Sequence, residues 1–248
     1  MIDRPLPDFA RLHAYEALGS TNDEAKRLAE AGAPAWTVVS AGIQTAGRGR
    51  RQRSWVSPAG NLHMSAILRP SVPIAIAPQL GFAAALAVGD AVAALLPSAR
   101  LLQFKWPNDV MISGRKVAGV LLESSATESG SALWVVVGIG VNVLHFPSEA
   151  ATSLVAEAVR DPSPARLLSD IVTALHRRAG EWEHSGFETL RRAWLARARD
   201  LGAEIVVRLE REHFAGRFID LDGDGALLVE TALGRRRVTA GEIFPVAA

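Results

Sequence analysis

Residues 133–143 read LWVVVGIGVNV, a run in which Asn142 is the one polar side chain. β-Branched residues in an unbroken apolar run form a strand covered on both faces, which places this segment at the centre of a sheet. The rest of the chain has to supply its neighbouring strands and its two covers.

The flanking segments fit that demand. MISGRKVAGVLLESS reads as a hairpin turning at Ser113-Gly114, LLQFKW as a strand stopped by Pro107, and WTVVSAG as a strand over 36–42. NLHMSAIL alternates Leu62, Met64, Ala66 and Leu68 on one face, the pattern of a half-buried strand. TNDEAKRLAEAG has a Thr/Asn cap, acids in its first turn and a closing Gly32, so it predicts a short helix ending near Ala31. Ala77 to Leu96 predicts a buried helix ended by Pro97, and helical patterns follow at Pro164–Trp182 and Phe187–Asp200. No element is assigned to the N-terminal MIDRPLPDFARLHAYEALGS, which carries early charges and prolines.

From Gly202 the pattern changes to short strands, AEIVVRLE, HFAGRFID, ALLVET and RRRVTAGEIF, divided by the turn signals DGDG and LG. This tail predicts a separate small β-barrel, with the division between domains at 1–200 and 201–248.

Composition restricts the chemistry. The 248 residues carry 27 Lys+Arg against 26 Asp+Glu, a net charge of +1, so any cationic function is local and not a coat of positive charge for nucleic acid. The absence of cysteine excludes disulfides, thiolate nucleophiles and Cys-based metal sites, and is compatible with a reducing compartment. Early charges at the N-terminus, and apolar runs broken by Gly, Pro or charge, lead us to expect a cytoplasmic protein without a membrane anchor.

Four arginines and two glycines fall within GRGRRQRSW, residues 47–55. Glycine lets backbone approach a ligand and guanidinium forks grip oxyanions, which makes an anion clamp; a solvated basic turn and a nucleic-acid patch explain the same charges. Two nucleotide-binding signatures are missing, since no GxxxxGK[ST] occurs and GIGVN has no third glycine. KWPNDV gathers Lys105, Asn108 and Asp109 at a strand end, where Asn-Asp after proline is also ordinary turn chemistry. GRKVAGVLLE puts Lys116 at the start of an apolar strand, a position a snorkelling lysine also takes. Asn142 ends the central strand and needs a hydrogen-bond partner.

Taken in order, STN, QTAGRGRRQRSWVSPAGNL, KWPNDV, GRKVAGVLLE and GIGVNV closely resemble the biotin protein ligases. The resemblance covers about Ser20 to Val143 by motif. It implies an α+β fold: a class II aminoacyl-tRNA synthetase-like catalytic domain, a mixed sheet flanked by helices, with a C-terminal SH3-like β-barrel. It implies an ATP-dependent ligase that makes biotinyl-5′-AMP and passes biotin to a lysine on the biotin carboxyl carrier domain of acetyl-CoA carboxylase or a related carboxylase, with biotin, ATP and Mg²⁺ as small molecules. Only 19 residues precede Ser20, so a form without the DNA-binding domain of the repressor members, and without nucleic-acid binding, is expected. Pairing into a homodimer through an exposed sheet edge is also a family habit.

The matching positions then take roles by resemblance. Ser20, Thr21, Asn22, Gln44, Gly47, Arg48, Gly49, Arg50, Lys116 and Gly119 would surround biotin. Arg48, Arg50, Trp55, Lys105, Asn108, Lys116 and Asn142 would meet ATP or the adenylate, with Lys116 and Arg48 catalytic. Asp109 would help position the acceptor lysine, and Asn142 would orient phosphate or Mg²⁺. Gln52 stands where many members have Gly, His63 where an aromatic usually follows GNL, and GEIFPVAA lacks an arginine that some members carry after GEI. A lipoate ligase of the same fold, a biotin sensor without turnover and a nucleic-acid-binding module are the competing readings.

Overall fold

The computed structural model describes residues 5–246. Its larger sheet is built from β1 (Arg11–Leu18), β2 (Thr37–Gln44), β3 (Leu62–Leu68), β4 (Leu102–Lys105), β5 (Asp109–Ile112), β6 (Arg115–Ala126) and β7 (Ala132–Val141). The strand order is β1-β2-β3-β7-β6-β5-β4, which puts β7 in the middle as its composition requires. Only β1 and β2 run parallel; every other pair is antiparallel. β5 and β6 are joined at Ser113 (φ 51°) and Gly114 (φ 80°), the double left-handed conformation of a tight hairpin.

The two faces of β7 bury different partners. Val135, Val137, Ile139 and Val141 join the main core, where α2 (Leu80–Ala93) and α3 (Pro164–Ser185) cover the sheet. Trp134 and Val136, on the other face, pack with Ala25 and Ala29 of α1 (Thr21–Glu30). α2 is apolar almost all round because it lies between the sheet and α3, and a helix so placed exposes no side to water.

Several expectations change. β3 is buried along its whole length, not half-buried, because α1 covers the face that carries His63, Ser65 and Ile67. The apolar helix starts at Leu80: Ile74–Gln79, which contains Pro78, is a 3-10 segment, and regular helix ends at Ala93. α4 (Phe187–Leu195) stops short of Asp200, because Arg197 and Arg199 leave the helix to bond the backbone of Phe104 on the edge of β4. β1 has no counterpart in the sequence reading. It is an edge strand with most side chains exposed, so its burial never imposes a clean alternation.

The smaller sheet comprises β8 (Glu204–Arg208), β9 (His213–Leu221), β10 (Leu227–Thr231), β11 (Gly234–Val238) and β12 (Glu242–Pro245), in the antiparallel order β11-β10-β9-β8-β12 of an SH3-like fold. RRRVTAGEIF is therefore two strands, broken at 239–241. The DGDG turn fixes this sheet against the larger domain. Gly225 (φ +85°) lies so close to Phe82 that a Cβ would come within 2.6 Å of the ring. The Gly225 carbonyl accepts from Trp106 Nε1 at 3.2 Å, and that of Gly223 from Gln79 Nε2 at 3.0 Å. Ile205, Val207, Phe218 and Leu221 are continuous with the main core.

α1 is also pinned to the sheet edge by Glu24, which accepts from Tyr15 Oη at 2.8 Å and from Arg27 Nε at 2.8 Å. The Arg27 hydrogen bonds, with help from Tyr15, bring the Glu24 carboxyl from 4.5 down to about 2. A depressed carboxyl contributes stability that is complete above the unfolded-state value and lost as pH falls through the folded one. Thermal unfolding of Glu24→Gln should show a deficit against wild type at neutral pH that closes between 4.5 and about 2; a deficit constant over that window contradicts this role.

Candidate active site

β2 delivers the chain into GRGRRQRSW, which folds as a small hairpin. Arg48 and Ser54 form an antiparallel bridge, Gly49 N–H donates to Arg53 O at 2.7 Å, and Trp55 N–H donates to Gly47 O at 2.9 Å. At its tip Arg51 (φ 54°) and Gln52 (φ 58°) are both left-handed. Gln52 therefore occupies a conformation that glycine takes freely and that costs another residue about 1 kcal/mol. Gly47 is structural: a Cβ there would come within 2.5 Å of Trp55 O.

The hairpin closes over the bare part of β7. On the face where Trp134 and Val136 hold α1, the next two positions are Gly138 and Gly140, with Gly119 of β6 beside Gly140. A Cβ at Gly138 would come within 2.8 Å of Asn22 Cγ, and one at Gly140 within 2.5 Å of the Trp55 ring. The missing side chains leave a floor on which Asn22 and Trp55 lie.

Around this floor runs a chain of oriented polar groups. Ser65 Oγ lies 2.6 Å from Asn22 Oδ1 and 2.8 Å from Thr21 Oγ1. Gln44 Oε1 accepts from the Thr21 backbone N–H at 2.8 Å and from Thr21 Oγ1 at 3.1 Å, so it satisfies a donor at the start of α1. Gln44 Nε2 donates to Ser57 Oγ at 2.9 Å, and Ser57 Oγ to Trp55 O at 2.9 Å. Ser20, Thr21, Asn22, Ser57 and Ser65 are all buried.

The other end is cationic. Lys116 Nζ lies 2.6 Å from Asp109 Oδ1 and 5.2 Å from the Trp55 ring centre. Arg50 Nη1 is 3.4 Å from Asn108 Oδ1, and Asn108 Nδ2 donates to Val120 O at 2.6 Å. Lys105 lies 4.9 Å from the Phe244 ring of the smaller domain, and burial pushes its amine below the usual lysine value. Arg48 Nη2 pairs with Asp23 at 2.5 Å and Glu123 at 2.9 Å, while Arg53 pairs with Glu242 of β12. One cavity between the two domains thus has a neutral, polar inner end and a cationic outer end.

The Biotin/lipoate A/B protein ligase family pattern matches residues 16–142, and that of the Biotin protein ligase C terminal domain matches 200–244. A biotin--[acetyl-CoA-carboxylase] ligase of Paracoccus denitrificans is 41% identical over 234 residues, 91% of this chain and 96% of the relative. The chain belongs to the biotin/lipoate A/B protein ligase family. The bifunctional ligase/repressor BirA of Bacillus subtilis is 36% identical over 92% of this chain and 72% of its own length. Among solved structures, the biotin protein ligase of Aquifex aeolicus in complex with biotin and ATP superposes with a TM-score of 0.79 at 27% identity, covering 94% of this chain and 97% of that one.

Of the residues singled out by resemblance to this ligase family, Ser20, Thr21, Asn22, Gln44, Arg48, Gly49, Arg50, Trp55, Lys105, Asn108, Asp109, Lys116 and Gly119 line the cavity. Gly47 lies behind it. Asn142 is not among the residues that line the cavity: it is buried, with its Nδ2 donating to Thr152 O at 3.0 Å. His63 is buried against the loop, its Nε2 3.2 Å from Pro58 O, and burial lowers its pKa. The sequence reading missed Ser57, Ser65, Glu123, Gly138, Gly140, Glu242 and Phe244. Ser65 lies on the alternate face of β3, and Glu123 repeats the two-residue period of Gly119 and Leu121, so alternation carried both signals.

The glycine floor has a direct consequence. Gly138→Ala forces the Asn22 amide off Ser65, and overpacking of this kind costs roughly 1–3 kcal/mol. Calorimetric titration should show biotin affinity reduced roughly tenfold or more; unaltered affinity in a folded variant contradicts the geometry.

Proposed function

We infer that this chain is a biotin protein ligase that activates biotin with ATP and transfers the vitamin to a carrier-protein lysine. The observation that carries this is the division of a single cavity into two chemistries. Oriented hydroxyl and amide groups fit a ureido ring, which offers donors and an acceptor, and Arg48, Arg50, Lys105 and Lys116 converge where a carboxylate and phosphates meet. The dithiolane of lipoate has neither N–H nor C=O to use that inner end, and the relatives above are biotin ligases. A nucleic-acid module is not favoured, since Arg48 and Arg50 line the cavity and the chain carries a net charge of only +1.

In the first step a biotin carboxylate oxygen bonds to the α-phosphorus of ATP and pyrophosphate leaves. The reaction brings two anions together, and Lys116, between floor and loop, is placed to reduce their repulsion. Lys116 then shares its charge with Asp109 at one side and the ligand at the other. Arg48 and Arg50 hold the α-phosphate, and Trp55 with the loop excludes water from the mixed anhydride. Lys105 and Asn108 face the nucleotide. In the second step the acceptor amine bonds to the carbonyl carbon, AMP leaves with the electron pair of the broken C–O bond, and the nitrogen loses a proton. Asp109 is our choice to orient that amine.

Mg²⁺ is the natural counter-ion of ATP. No group of three or more His, Asp or Glu among the described residues makes a protein-built metal site, and Asn142 lies outside the cavity lining. We place the ion on the nucleotide.

Acetyl-CoA carboxylase is the proposed source of the carrier. Among the described residues no strand pairs with the outer edge of β6 from Leu121 to Ala126, and we propose that edge for the homodimer; a solution mass of one chain at every concentration, with ligands, contradicts it.

Biotin-dependent exchange of labelled pyrophosphate into ATP tests the reaction itself. Wild type should exchange with biotin and not with lipoate, and Lys116→Ala should lose exchange by roughly a hundredfold or more while remaining folded. Exchange supported only by lipoate, or undiminished in Lys116→Ala, would overturn the assignment of substrate or of lysine respectively.

A further inference from the structure

Glu123 lies outside the cavity lining and bonds to one residue at each end of it, Asn22 and Arg48. It stands on β6 on the same face as Gly119 and Leu121. Its Oε2 accepts from Asn22 Nδ2 at 2.9 Å and from Arg48 Nη2 at 2.9 Å, and its Oε1 accepts from Lys26 Nζ at 3.0 Å.

Each contact removes a freedom. An Asn amide can face its surroundings in two flips, and only one turns Nδ2 to a carboxylate and Oδ1 to the Ser65 hydroxyl. Arg48 is held by Nη2 alone, between Glu123 and Asp23, while its Nε and Nη1 have no hydrogen-bond partner among the described residues. That leaves the Nη1 amino group free to donate to an oxyanion. The charges of Asp23, Glu123, Lys26 and Arg48 sum to zero, so the cluster persists without a counter-ion. Burial alone would push the Glu123 carboxyl up; hydrogen bonds from Asn22 and Lys26 and the charge of Arg48 bring it below its usual value and keep it ionised at neutral pH.

We propose that Glu123 is a positioning residue for adenylation, one carboxylate that sets the Asn22 amide at the vitamin end and the Arg48 guanidinium at the phosphate end as a single unit. The proposal rests on the biotin-ligase reading. Glu123 acts through Asn22 and Arg48, so its loss should be energetically coupled to theirs. A purely structural carboxylate would lower stability and add its effect independently.

The test is a pair of double-mutant cycles read by biotin-dependent pyrophosphate exchange, with melting temperature measured alongside. Glu123→Gln keeps the shape and removes the charge. It should raise the KM for biotin roughly tenfold without lowering the melting temperature. Combined with Asn22→Ala or with Arg48→Ala, it should worsen either single variant by no more than roughly twofold. Glu123→Asp, which keeps the charge on a shorter arm, should fall between wild type and Glu123→Gln. If Glu123→Gln is poorly folded, the same cycles run with Glu123→Asp should show the same coupling. An unchanged KM in folded Glu123→Gln, or losses that multiply in both cycles, overturns the proposal. Absence of exchange in wild type would overturn the ligase reading instead.

Discussion

The bare backbone at Gly138 and Gly140 is the constraint on which the site depends. β7 must lie at the sheet centre because it is apolar, and one of its faces runs Trp134, Val136, Gly138, Gly140. The first two side chains press α1 against the sheet and fix where its N-terminus lands. The next two leave out any side chain, so Asn22 and Trp55 settle directly on backbone. Strand, helix and loop are in this way registered against each other by the alternation of a single strand.

Charge is arranged with similar economy. Three cations of the cavity are balanced inside the protein: Arg48 by Asp23 and Glu123, Lys116 by Asp109, Arg53 by Glu242. An incoming anion meets side chains already held in place by these carboxylates and does not have to recruit mobile ones from water, which limits the ordering cost of binding. The Arg53 pair reaches β12, and Lys105 lies over Phe244, so the smaller domain is part of the cavity wall. The DGDG turn, wedged against Phe82 and hydrogen-bonded to Trp106 and Gln79, keeps that wall in place.

What could be read in the sequence followed from local chemistry. The apolar run predicted β7 and Ser113-Gly114 the hairpin, while the resemblance of five motifs to the biotin protein ligases implied thirteen residues that meet in one cavity. The rest is decided by tertiary neighbours. β3 looked half-buried because nothing in its own alternation announces α1 on its second face. Asn142 looked like a ligand group because its partner, the carbonyl of Thr152, is a backbone atom with no sequence signature. Alternation along β6 puts Glu123 on the face of Gly119, but its hydrogen bonds to Asn22 and Arg48 depend on elements distant in sequence. Gln52 departs from the glycine many members carry, yet it keeps the left-handed backbone that glycine would take.

A crystal structure with a hydrolysis-resistant biotinyl-adenylate analogue measures the central claim most directly. The bicyclic ring should rest along the glycine floor beside Asn22, Thr21 and Gln44, with Lys116 Nζ moved from Asp109 to a place between carbonyl and phosphate. Arg48 should keep Nη2 on Glu123 and donate from Nη1 to the phosphate. A ligand bound away from the glycine floor, or a phosphate with neither Lys116 nor Arg48 in contact, would contradict the account.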